Sequence, residues 1–321
     1  MKKYKILILI LGLSMIFFGC GKKTKKYPED VVVEEDETVV VDEETPVEET
    51  EDENSASREL DKKFDELYNT KENTLELVEF IDENISNVDE PTATGWINSL
   101  ETELNRELEI HMNELFQRDP DMELMNIEGT SRYFSEEKVD EIQNEELKNL
   151  VKELFATHYK LINVEGAFYP LVDYESLAGY NEYISQELGK YLEIKAMDSK
   201  EYPFSDGGRV ISLEDLRNRI VETEKYLTDY QDGLRREEMV KEYRLKLRGY
   251  MEGLPNTPIS DFEDGKIIPE VLEDFKKAAQ LEDTTTGKIL KNYVDDIENN
   301  DFVIDEEILR KADDYVNEAF K

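Results

Sequence analysis

Beyond residue 57, apolar residues recur three and four positions apart with polar residues between them. That spacing puts a stripe along one face of an α-helix. Leu60, Phe64 and Leu67 open the series, and Leu75, Val78, Ile81 and Ile85 continue it. A long face follows at Ile97, Leu100, Leu104, Leu108, Met112 and Leu115, and another at Leu147, Leu150, Val151, Leu154, Phe155, His158, Leu161 and Ile162. Tyr174, Leu177, Tyr180, Ile184, Leu188, Tyr191 and Leu192 form the next. Further stripes start at Leu213, Val240, Val271, Ile289 and Ile308.

Helix starts and stops agree with the stripes. Ser135, Asp173, Ser212, Thr284 and Asp305 stand where N-caps belong. Pro and Gly cluster at residues 89–91, 166–170, 203–208 and 253–258, where the chain is expected to turn. Two short segments, 167–172 and 209–211, have strand character but are too short to build a sheet. The predicted fold is all-α, an irregular bundle of about eight to ten helices. A soft boundary near residue 166 divides the body into parts 57–165 and 166–321, with one continuous bundle as the alternative.

Charge changes the picture ahead of that body. The 321 residues carry 78 acidic and 39 basic side chains, a net charge of −39. Such a surface repels phosphate backbones and anionic headgroups, which argues against a nucleic-acid partner. The stretch 27–56 holds 14 acidic residues and no basic one, in a loose repeat of valine triplets (Val31 to Val33, Val39 to Val41) followed by acids. A run of like charge cannot bury enough apolar surface to offset its ordering entropy. Residues 20–56 are therefore expected to be a disordered tether, reaching at most roughly 120 Å. The valine triplets offer a second role, as strands added to a partner's sheet edge.

The first twenty residues have their own logic. Lys2, Lys3 and Lys5 precede a 13-residue apolar or small-residue run, 6–18, which is shorter than the roughly 20 residues needed to span a bilayer. Phe17-Phe18-Gly19-Cys20 follows, and Cys20 is the chain's single cysteine. This leader resembles the lipobox of bacterial lipoproteins, with Phe17 where that class usually has Leu. The resemblance implies cleavage after Gly19, diacylglycerol on the Cys20 thiol, and a cell-membrane location with the protein lipid-anchored on the extracytoplasmic face. Two or more acyl chains give the stable anchor that one cannot. Lys22, Lys23, Lys25 and Lys26 would then sit at the headgroups.

Candidate sites in the body are sparse. His111, with Glu107 four residues before and Glu114 three after, puts nitrogen and oxygen ligands on one helix face. The alternative is a hydrogen-bonded helix histidine. Residues 296–307, with Asp296, Glu298, Asn300 and Glu307, loosely follow the spacing of a calcium loop. The competing reading is a helix–helix connection capped by Asp305. Asn256, Thr257 and Phe262, in a proline-stiffened loop, and Tyr183 and Tyr230, the tyrosines least committed to core stripes, are the candidate binding surface.

No nucleophile motif or Gly-rich phosphate loop is present, and two histidines read as helical make a serine triad improbable. The expected function is a non-enzymatic binding or adaptor module held to the membrane through lipid on Cys20. Its partner would be a protein or wall polymer, and it would need no cofactor. A calcium- or transition-metal-binding lipoprotein and a hydrolase of wall polymers are the alternatives.

Overall fold

The first helix begins inside the acidic stretch. In the computed structural model, which describes residues 49–71, 73–119 and 122–321, α1 spans Glu49–Thr70. Residues 49–56, expected in the tether, are thus helical. An acidic start complements the positive end of the helix dipole. The leader, Cys20 and the tether up to residue 48 lie outside the described residues. The body is mostly helical, as the stripes predict, and its described residues group as one compact unit.

α2 (Thr74–Asn84) and α3 (Glu90–Arg118) pack with α1. Asn73 and Asp89 cap them, accepting from the backbone N–H groups of Glu76 and Thr92, and Pro91 sits in the first turn of α3. The Phe64 and Trp96 rings stack 5.0 Å apart, Phe80 tilts against both, and the Trp96 indole donates to Asp61. Glu103 is buried on α3 against Lys71 (2.9 Å) and Arg106. Hydrogen bonding to the Arg106 guanidinium, helped by Lys71, holds its carboxyl at about 2 against an ordinary 4.5.

A carboxylate with a depressed folded-state pKa adds stability above its unfolded pKa and loses it as pH falls toward the folded value. Glu103→Gln should therefore lose less stability than wild type between pH 4.5 and about 2. Denaturant titrations across that window check this, and parallel curves for the two proteins would refute it.

After α4 (Glu123–Glu128) and α5 (Glu145–Ala156), the chain departs from the helical reading. The stripe carried from Leu147 to Ile162 stops at Ala156. Residues 159–164 form β1 (Tyr159–Val164), antiparallel to β2 (Ala167–Val172). The inward residues Tyr159 and Leu161 are two apart, a strand period that also fits a helix stripe over so short a span. Glu165 and Gly166, both at positive φ (52° and 87°), make the tight turn that suits the strand twist. The hairpin lies on α3, where the Tyr159 hydroxyl donates to the Leu104 carbonyl at 2.6 Å.

α6 (Tyr174–Leu177), α7 (Gln186–Lys200), α8 (Leu213–Asp229) and α9 (Arg236–Met251) follow, then α10 (Pro269–Ala279), α11 (Thr285–Asn299) and α12 (Glu306–Glu318). Two miniature hairpins interrupt them: β3 (Phe204–Ser205) with β4 (Gly208–Arg209), and β5 (Gly253–Leu254) with β6 (Thr257–Pro258). Of the strand expected at 209–211, only Arg209 belongs to a strand, while the Val210 N–H donates to the Pro203 carbonyl at 3.0 Å. Gly253 holds φ at 73°, and a Cβ there would come within 2.9 Å of the Ile259 nitrogen, so this turn needs glycine. Among the described residues no helix is long and apolar enough to cross a membrane.

A polar seam runs through the middle of the bundle. Glu101, 2% exposed on α3, accepts from the Tyr174 hydroxyl (2.7 Å), the Tyr191 hydroxyl (2.9 Å), the Asn105 amide (2.7 Å) and the Arg235 guanidinium. Tyr191 and Lys195 also meet Glu238, Lys195 meets Glu242, and Lys246 meets Asp198, which Arg219 also holds. Burial pushes Lys195 down, but Tyr174, Glu242 and Glu238 outweigh it and raise its pKa well above the usual value. Burial likewise raises Glu242, and Lys195 and Lys246 together bring it below the ordinary carboxylate range. These partners lie on α3, α6, α7, α8 and α9, so the seam specifies how those helices meet.

Candidate functional site

An open cleft of about 630 Å³ lies where α7 starts and where α8 turns into α9. Ser185 caps α7 by accepting from the Leu188 N–H, while its own N–H donates to Thr94 on α3 at 2.8 Å. This fixes the wall that carries Glu187. Tyr230 ends α8, and the turn from Gln231 to Leu234 reverses the chain, with the Gly233 N–H on the Tyr230 carbonyl. A Cβ on Gly233 would approach Glu187 Oε1 to 3.0 Å, so the glycine lets the carboxylate come close to the turn.

Glu187 Oε1 accepts from the Tyr226 hydroxyl and, at 3.3 Å, from the Arg235 backbone N–H. Burial and the neighbouring Glu187 push the Tyr226 phenol far above its usual range, so it stays protonated and donating. Asp229 and Asp232 add two more carboxylates to the lining, which contains no basic side chain. Tyr230 supplies a half-buried ring, tilted against Tyr226 at 5.2 Å, and Leu234 is 62% exposed. The cleft can therefore hold a ligand that pairs a cationic group with an apolar surface.

The residues singled out from sequence fare differently. Tyr230 lines the cleft, whereas Tyr183 is half-buried against the core and is not part of the lining. Asn256 and Thr257 pin the two miniature hairpins together. The Asn256 N–H donates to the Gly207 carbonyl and its amide to the Asp206 carbonyl, while the Thr257 hydroxyl accepts from the Arg209 N–H. Phe262 projects alone, 86% exposed.

His111 lies on α3, edge-on to Tyr159 at 4.9 Å. Its Nε2 is 3.7 Å from Glu107 and its Nδ1 3.6 Å from Glu114, so the two carboxylates sit at different ring nitrogens rather than converging on one point. In the 296–307 connection Asp296 is occupied by Lys311 and Tyr315, and Glu298 by Lys276. Asn300 donates to Val303 and Asp305, and Glu307 offers its N–H to Asp305, the N-cap of α12. Among the described residues no group of three or more His, Cys, Asp and Glu side chains is arranged to hold a metal ion.

No family model, curated protein or solved structure matches this chain.

One expected placement is corrected. His158 is not on a helix. It sits at φ 59° in the turn between α5 and β1, and the Asp173 N–H donates to its carbonyl at 2.7 Å across the hairpin base. The sequence signal that marks this turn is the short alternation Tyr159-Lys160-Leu161 ahead of Glu165-Gly166.

Proposed function

We propose that this chain is a lipoprotein anchored through Cys20 on the extracytoplasmic face of the cell membrane, and that the cleft face of its helical body is a non-enzymatic binding module. The observation that carries the binding reading is the cleft beside Tyr230, with three carboxylates, no opposing base, an aromatic ring and an exposed leucine. Such a surface suits the lysine, arginine or amine groups of a protein or wall polymer. The anchor rests on the charged leader, the 13-residue apolar run and Gly19-Cys20.

Crosslinking on intact cells tests both halves. Cys20→Ser should move the protein from the membrane fraction into the medium or leave its leader uncut. Normal trimming with full membrane retention would overturn the anchor. With the anchor intact, the triple variant Asp229→Asn, Asp232→Asn, Leu234→Ala should cut capture of the wild type's crosslinked molecule by about tenfold or more, a loss of about 1.4 kcal/mol. Undiminished capture would exclude the cleft as the contact.

A further inference from the structure

A second cluster lies outside the cleft. Ser176 is exposed in α6, and its Oγ is 2.8 Å from His158 Nδ1. His158 Nε2 is 3.1 Å from the Tyr180 hydroxyl, which donates to Asp82 on α2 at 2.5 Å. Four side chains from three parts of the sequence thus form one relay, from the protein surface to a carboxylate.

The Tyr180–Asp82 end of the relay favours one tautomer. An ionised carboxylate only accepts, so the Tyr180 proton goes to Asp82. The Tyr180 oxygen is then the acceptor for Nε2–H, and Nδ1 keeps its lone pair, facing Ser176. Burial lowers the His158 pKa against the opposing pull of Asp82 and Asp173, so the ring is neutral at neutral pH. The same burial, with Asp82 adding to it, keeps Tyr180 protonated. His158 also holds a left-handed backbone that a non-glycine residue adopts at a cost, a form of strain concentrated at functional sites.

We infer that Ser176 is a base-activated nucleophile, which takes an acyl group from donors with a good leaving group. The Ser176 oxygen attacks the acyl carbon while its proton passes to His158 Nδ1. The C–O or C–S bond to the leaving group breaks, and that group departs with the proton from the imidazolium. The product is an acyl ester on Ser176. Water, deprotonated by the same nitrogen, can hydrolyse it. Asp82, through Tyr180, and Asp173 stabilise the transient imidazolium. Lys160 binds Asp173 at 3.1 Å and partly offsets the latter.

The surroundings also define the substrate class. The N–H groups of Glu175, Ser176 and Leu177 are all spent on Asp173, so the backbone around the serine offers no free donor to an oxyanion. An oxyanion donor is worth about 10²–10³ in rate and a positioned base about 10²–10⁴. Ser176 is therefore equipped for activated donors such as thioesters and phenyl esters, not for peptide bonds. At rest the Ser176 hydroxyl donates to the Asp173 carbonyl at 2.7 Å, so its proton must swing to Nδ1, the stronger base, before attack.

The full-length chain, treated with a fluorophosphonate and mapped by peptide mass spectrometry, tests this. The expected result is a single adduct on Ser176, with fluoride released and the serine proton passed to His158. The labelling rate should climb to a plateau as one group with a pKa below 6.5 loses its proton. His158→Asn, which tolerates the left-handed backbone, should slow labelling by about 100-fold or more and abolish that pH step. No adduct on Ser176, or an unchanged rate in His158→Asn, overturns the inference. Should that variant fail to fold, the wild-type profile decides it, because a rate rising only with hydroxide leaves the imidazole no part.

Discussion

Glu101→Leu should destabilise the body by about 3–5 kcal/mol, with a fall in thermal midpoint on the order of 10 °C. The carboxylate is 2% exposed and gathers four donors, from Tyr174, Tyr191, Asn105 and Arg235. Leucine fills similar volume but accepts nothing, so a guanidinium and two phenols lose their shared acceptor inside the bundle. Tyr191 keeps Glu238 and Arg235 keeps the Asn98 carbonyl, but the guanidinium and Tyr174 lose their buried carboxylate, and that desolvation is not returned. A double-mutant cycle separates this from lost packing. Adding Arg235→Met removes the stranded charge, so the double variant should be more stable than the sum of the two single losses implies. Strict additivity in urea unfolding would show that Glu101 and Arg235 do not act as a pair.

Gly287→Ala gives the second large effect, against the direction that helix propensity suggests. Alanine is favoured over glycine in a helix interior by about 0.8–1.0 kcal/mol. Gly287, however, lies beneath the turn formed by Leu281 and Thr284, where its N–H donates to the Thr284 hydroxyl at 2.8 Å. A Cβ there would overlap the Leu281 carbonyl. That carbonyl already accepts the Thr284 N–H and hydroxyl, so it cannot rotate away cheaply. Overpacking costs about 1–3 kcal/mol where side chains can adjust, and here the obstacle is backbone. The expected net loss is about 2 kcal/mol or more. An alanine variant equal to or more stable than wild type by denaturant midpoint would contradict this packing.

Much of the architecture was legible because it is repetitive and local. Stripes such as Ile97 to Leu115 have a period that only a helix satisfies over several turns, and Ser212, Thr284 and Asp305 accept N–H groups as caps where the sequence placed them. The reading failed where the span was short. From Leu147 to Ile162 the helical phase holds by coincidence, since Leu161 fits a stripe as well as it fits alternation with Tyr159. Asn256 and Thr257, read as available polar groups, are consumed by the facing hairpin, which lies some fifty residues earlier in the chain. The cleft had one legible residue, Tyr230. Its other wall comes from the start of α7, and nothing local links the two.

By itself the sequence determined that the body is helical, that it is strongly acidic, and that a basic start, a 13-residue apolar run and the single cysteine stand ahead of it. Each is set by composition or by a period within a few residues of chain. Only the tertiary structure decided which polar groups meet. Glu101 with Arg235, Ser176 with His158 and Asp82, and Glu187 with the turn before α9 are each joined by long-range packing. Side chains far apart in sequence become partners only once burial of the apolar faces has chosen how the helices cross.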